Sequence, residues 1–305
     1  LVHAHDHSHD HAPRSFGKAF AVGIALNLII VGLQIVFGLR AGSLALLADA
    51  AHNFSDVIGL ALAWIAAWLS AKRATRRFTY GFRRASILAA LANAALLLLA
   101  TGGIVLEAVQ RFFHPAPVVG EIVIGVALAG IVVNFATALL FRRGGQDDLN
   151  IRAAFLHLMG DAAISFGVVI AAALVLYTGW FWLDPAVSIV IAVSIVAGTW
   201  SLARNSISLA MDAVPQGIDP NEVRNFLTNL PGVTAVHDLH IWAMSTTETA
   251  LTAHIVLPAA KGGDEFLSRT ARGLEHRFGI RHTTLQIETG TGEAACKAAC
   301  ADCPS

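Results

Sequence analysis

The chain has 305 residues, 21 basic against 21 acidic side chains, 55% hydrophobic residues and only 14% charged ones. A mean hydropathy of +0.63 excludes an ordinary soluble globule and points to a polytopic membrane protein with a soluble part. Zero net charge leaves no strong case for a nucleic-acid partner.

Residues 1–15 hold His3, His5, His7, His9 and His11, with Asp6 and Asp10 between them. The tract is polar, too short to bury a core, and reads as disordered. Alternating histidines can bind metal weakly; an expression tag is the plainer reading, although tag histidines normally run consecutively. Its polarity gives no pattern of a cleavable signal peptide.

Six apolar segments follow, near 16–39, 44–70, 85–110, 119–141, 152–177 and 185–210. Each is long enough for a bilayer that needs about 20 residues. The connector after the second carries Lys72, Arg73, Arg76, Arg77, Arg83 and Arg84, and that after the fourth carries Arg142 and Arg143. The opposite side has little beyond Arg40 and Arg111. Positive residues favour the cytoplasmic side, so both termini are expected there.

From Met211 the composition becomes that of a soluble domain. Asp219 as N-cap, Pro220 at the first helical position and Glu222 two further on start a helix over 219–229. Strands are expected at 233–244, 249–257 and 282–288, with a second helix at 264–278. In the middle strand Leu251, Ala253, Ile255 and Leu257 share one face, Thr252, His254 and Val256 the other. The order αββαβ suggests an open-faced α+β sandwich of ferredoxin-like type, small enough for dimerisation to help. The expected layout is thus a His-rich tract (1–15), a membrane all-α bundle of six transmembrane helices (16–210), a C-terminal ferredoxin-like cytoplasmic domain (211–290) and a tail (291–305). The tail holds Cys296, Cys300 and Cys303, an odd cluster that is no disulfide framework. It is either part of a zinc site, which wants four ligands, or a set of free thiols.

Two pairs inside the apolar segments carry chemistry: His52 with Asp56, and His157 with Asp161. Each is spaced i, i+4 and so lies on one helix face. Ionisable groups at such depth are costly and mark function by default. The two segments run antiparallel, so at a common depth His52 faces Asp161 and Asp56 faces His157. Two imidazoles and two carboxylates suit a four-coordinate, borderline divalent metal. Two carboxylates neutralise such a cation, and an empty site would take up protons in its place. Metal release coupled to proton uptake follows, hence transport. The plainer reading is interhelical hydrogen bonding, which two matching pairs make hard to sustain. Asp49, one turn before His52, is either part of an access path or a packing group. Asn27, Gln34 and Asn134 read as interhelical hydrogen bonders.

An intramembrane metalloenzyme would need an open metal position and a general base; no H-E-x-x-H occurs and four ligands close the tetrahedron, so no enzyme is expected. A channel fits poorly, because a closed four-ligand site holds its ion too firmly. A metal sensor or storage protein is the remaining alternative.

Ala48-Asp49-Ala50-Ala51-His52-Asn53-Phe54-Ser55-Asp56 and His157-Leu158-Met159-Gly160-Asp161 resemble the cation diffusion facilitator family, nearest its bacterial cobalt–zinc–cadmium efflux branch. Tyr80-Gly81-Phe82-Arg83-Arg84 and Val236-His237-Asp238-Leu239-His240-Ile241-Trp242 match too, so the likeness covers about 16–290. The resemblance implies a homodimer in the lipid bilayer, exporting divalent metal ions against protons across the bacterial inner (plasma) membrane. It implies transport ligands at His52, Asp56, His157 and Asp161, and zinc, with cobalt or cadmium, rather than manganese. Some members have a further site in the connector after the second span; residues 71–82 contain neither Asp nor His, so none is expected here. A family charge interlock maps to Arg84 with Asp212. The family's cytoplasmic metal site maps to His237, His254 and Glu288, with Gln286 where another histidine is usual. His240 and His282 are further candidates; strand alternation sets His237 and His240 on opposite faces unless a bulge intervenes.

Overall fold

The computed structural model describes residues 17–142, 149–258 and 263–289. Six long helices come first: α1 (Gly17–Ala41), α2 (Leu44–Ser70), α3 (Ala85–Phe113), α4 (Gly120–Arg142), α5 (Leu149–Thr178) and α6 (Leu183–Ala210). All six contain stretches long and apolar enough to cross a membrane. They are followed by α7 (Pro220–Thr228), β1 (Ala235–Ala243), β2 (Thr249–Val256), α8 (Asp264–Phe278) and β3 (Ile280–Glu288).

The described residues form two compact units. The first holds the chain up to Ile58 and Leu96–Thr199; the second holds Gly59–Ala95 and the chain from Trp200 onward. In the first, α4 packs along α5 and α1. Its core is built on Ala41, Ala45, Ala48, Ala127 and Ala172 with Leu97, Val123, Val168, Ile191 and Ile195. Small residues let helix backbones approach closely, which is how helices associate in lipid without a hydrophobic driving force between them. Gly42, at φ 67°, ends α1 in a left-handed turn that a side chain would strain. The next helix starts at once, its Leu44 amide donating to Asp184 Oδ2 at 2.7 Å. That carboxylate satisfies a donor that no intrahelical partner can reach.

In the second unit α7 starts as the residues dictate: Asp219 Oδ1 accepts from the Asn221 amide at 2.8 Å, and Pro220 takes a first-turn position whose missing N–H costs nothing. The sheet has the order β1-β2-β3, with β1 and β2 antiparallel and β2 and β3 parallel through α8. Val223 and Leu227 of α7 and Phe266 and Leu274 of α8 pack on Ile241, Leu251, Ala253, Ile255 and Ile280. Both helices therefore cover one sheet face and leave the other free for polar side chains. Arg84 pairs with Asp212 as the charge interlock anticipates. Arg83 Nη1 reaches Glu248 Oε2 at 2.8 Å, and Ser86 Oγ accepts from the Thr246 amide at 3.1 Å. The turn between β1 and β2 is thereby tied to the start of α3.

Candidate metal centre

His52 and Asp56 project from α2, and His157 and Asp161 from α5, each pair one turn apart on its helix. The helices cross-pair them: His52 Nε2 lies 3.2 Å from Asp161 Oδ1, and His157 Nε2 lies 3.1 Å from Asp56 Oδ2. Within each helix the separations are 4.0 Å for His52 and Asp56 and 3.7 Å for His157 and Asp161. One ligand atom from each of the four lies within 4.8 Å of all the others. Nitrogen and oxygen alternate around that point. Ligands held about 2.0–2.1 Å from a tetrahedral zinc sit roughly 3.3 Å apart, so the observed separations bracket what such an ion requires. Exposure is graded across the set, from 3% for the Asp161 side chain through 19% for His52 and 30% for Asp56 to 50% for His157.

Asp49, by contrast, is fully buried and engaged by neutral donors: Gln34 Nε2 at 2.7 Å, Ser165 Oγ at 2.9 Å and Asn53 Nδ2 at 3.4 Å. Of the two readings open for it, that of a packing group is the one these contacts describe. Gln34 is an interhelical hydrogen bonder, as its place in α1 suggests. Ser165 is a partner that the sequence reading misses; its signal is the i+4 step from Asp161, which continues the stripe His157, Asp161.

A second set lies on the free sheet face. His237 of β1, His254 of β2 and Glu288 of β3 bring one ligand atom each within 4.8 Å of the others. His237 and His254 are directly opposite one another, with ring centroids 5.1 Å apart. Glu288 reaches both, Oε2 to His237 Nε2 at 3.0 Å and Oε1 to His254 Nδ1 at 2.9 Å. Partial burial works against its charge, but the His237 hydrogen bond and the nearby histidines hold the Glu288 carboxyl below the usual glutamate range.

Between His237 and His240 the β1–β2 register shifts, and Asp238 sits at φ 52°. This is the bulge without which the two histidines would face opposite ways: one extra residue restores the parity. His240 still does not join the set. Its Nε2 meets Asp238 Oδ1 at 2.9 Å, and Asp238 Oδ2 stands 3.4 Å from His254 Nε2. The His240 hydrogen bond, more than any other contact, lowers the Asp238 carboxyl from its ordinary range. His282 is exposed and packs edge-on against Tyr80, ring centroids 5.5 Å apart, so it too stands apart from the set. Gln286 pairs with His254 across the ladder and donates to Glu288 Oε1 at 3.1 Å, supporting the carboxylate where a histidine would ligate. The N-terminal histidines and Cys296, Cys300 and Cys303 lie outside the described residues.

Six membrane-spanning helices carrying two facing His–Asp pairs, followed by a small mixed-sheet domain, define a class of polytopic membrane transporter. Residues 20–210 match the family model described as the cation efflux transmembrane domain, and residues 215–290 match the cation efflux protein cytoplasmic domain. The chain belongs to the cation efflux, or cation diffusion facilitator, family in its cobalt–zinc–cadmium branch, and is a transmembrane cation transporter rather than an enzyme. It is 36% identical over 262 residues to a cadmium, cobalt and zinc/H(+)-K(+) antiporter of Bacillus subtilis strain 168, covering 84% of each chain. It is 33% identical over 294 residues to the metal cation efflux system protein CzcD of Cupriavidus metallidurans, covering 96% of this chain and 92% of that one. With the zinc transporter ZitB of Escherichia coli K12 the identity is 33% over 293 residues, 94% of this chain and 93% of the other.

Proposed function

We propose that this transporter exports zinc, with cobalt and cadmium as further cargo, by alternating access at His52, Asp56, His157 and Asp161, with protons as the counter-ion. The observation that carries this reading is the convergence of two nitrogens and two oxygens from antiparallel helices at separations suited to a tetrahedral ion. Imidazole ligands favour zinc, cobalt and cadmium over manganese, which seeks oxygen. Two carboxylates neutralise a divalent cation, so the loaded centre is tolerable inside a bilayer. Emptied, the same groups take protons, and metal and protons occupy them in turn. The names of the relatives agree with this cargo: one is called a cadmium, cobalt and zinc/H(+)-K(+) antiporter, another a zinc transporter.

The basic connector after α2 supports a cytoplasmic location for both termini under the positive-inside rule, in a bacterial inner membrane. Asp56 stands nearer that connector than His52 does, and with His157 it is the more exposed pair. This supports access from the cytoplasmic side in the conformation described. His237, His254 and Glu288 take a regulatory cation. Three ligands leave a tetrahedral ion one short, and a second copy of the chain in a homodimer supplies or shields the fourth position. A sensor or store that binds zinc without moving it is the second reading, favoured by this same sheet-face set.

The deciding experiment reconstitutes the protein in sealed vesicles containing a zinc-sensitive dye and imposes a pH gradient. Zinc flux that follows the gradient and vanishes in Asp56→Ala is expected. Zinc binding without gradient-driven flux would favour the sensor or store.

A further inference from the structure

Three contacts join α2 to α5 at successive turns: Asp49 with Ser165, His52 with Asp161, and Asp56 with His157. The α2 numbers rise as the α5 numbers fall, as antiparallel helices require. The outer two of these contacts differ in kind. Asp56 and His157 are partly exposed, whereas Asp49, Ser165, Gln34 and Asn53 are all buried.

The buried contact also reaches beyond the two helices. Gln34 brings α1 to Asp49 by its 2.7 Å bond, and Asn53 Nδ2 stands 3.4 Å from both Gln34 Oε1 and Asp49 Oδ1. On the α4 side stands Gly130. A Cβ there would lie 3.5 Å from Ser165 Oγ and 3.6 Å from Gln34 Nε2, so α4 passes beside the cluster with room for little more than a methyl group. A carboxylate suits this centre because it accepts on both oxygens and brings no donor of its own. Hydrogen bonds to an ionised acceptor are about twice as strong as neutral ones.

We propose that Asp49 is the positioning residue of the metal centre: its bond to Ser165 sets the register of α2 against α5 at which the two His–Asp pairs meet. One residue of slip along a helix is about 1.5 Å, and misplacement on the order of 1 Å costs about a hundredfold in a site that works by geometry. The inference rests on the four-residue centre proposed above.

The test uses the full chain in detergent with cobalt(II) as probe, because tetrahedral cobalt absorbs visible light far more strongly than octahedral cobalt. The part of the spectrum that Asp56→Ala removes reports the membrane centre. In Asp49→Ala and in Ser165→Ala that part is expected to weaken or shift, with cobalt affinity falling about tenfold or more. Ser165→Ala deletes a single hydroxyl and decides the matter should Asp49→Ala fail to fold. A lowered melting temperature with unchanged spectrum and affinity would reduce Asp49 to a fold-stabilising group and overturn the proposal. A cobalt spectrum that Asp56→Ala leaves intact would instead overturn the membrane centre, and this role with it.

Discussion

The intramembrane set and the sheet-face set place the same side-chain chemistry in different settings. In the membrane, two i, i+4 pairs on two helices bring four candidate ligands together, two of them carboxylates. On the sheet, three adjacent strands supply two histidines and one carboxylate. A divalent cation would be neutralised in the first and would keep a positive charge in the second. Neutrality matters in lipid and little beside water, so a cation in the intramembrane set would need the second carboxylate and one in the sheet set would not. A tetrahedral ion would find four candidate ligands within one chain in the first and three in the second.

The comparison breaks most readily at the membrane set. Asp161→Ala leaves an unbalanced, three-ligand centre, and zinc flux into vesicles is expected to drop to the level of protein-free vesicles while the folded yield is retained. Flux at the normal rate would refute the site. Next in size is a change of ligand hardness. His52→Asp replaces a nitrogen by a third carboxylate, so the manganese-to-zinc transport ratio, read by metal competition, should rise about tenfold. An unchanged ratio would remove His52 from the ligand set.

The sheet set should matter less to flux. His254→Ala is expected to abolish the regulatory cation in calorimetric titration of the full chain. Transport should fall by about fivefold, the low end of ordinary coupling between sites. A loss as complete as that of Asp161→Ala would mean that the two sets act as one. Smallest is an acid effect at Glu288. Its carboxyl is held below the ordinary value, so the contacts that favour its ionised form stabilise the fold fully above the unfolded-state range near ~4.3. That contribution fades as pH falls through the lowered folded value. Parent and Glu288→Gln should therefore differ in melting temperature by about 2 °C at pH 6, and the gap should close well below pH 4. A gap that widened on acidification would reverse the sign of the interaction.

Local rules made much of the structure legible. The six spans follow from runs of apolar residues, and α7 from Asp219 and Pro220 at its start. The alternation of Leu251, Ala253 and Ile255 foretells which face of β2 is covered. The pairing of His52 with Asp161 and of Asp56 with His157 was legible too, because antiparallel helices at one depth leave no other cross-pairing. The bulge at Asp238 was not. A strand pattern counts residues by twos, and an inserted residue shows only when the partner strand fixes the register. Nor was the position of His282 readable: it depends on Tyr80, about two hundred residues earlier, which no local pattern connects to it.

The sequence by itself determined the membrane class, the number of spans and the two His–Asp pairs, because hydropathy and the 3.6-residue period act over a single helix. Only the tertiary structure decided that Asp49 accepts hydrogen bonds from Gln34 of α1 and Ser165 of α5, that His240 turns to Asp238, and that the sheet set brings three residues together. Hydrogen bonds between distant side chains depend on helix packing and strand register, and those are set by the whole chain rather than by any one segment.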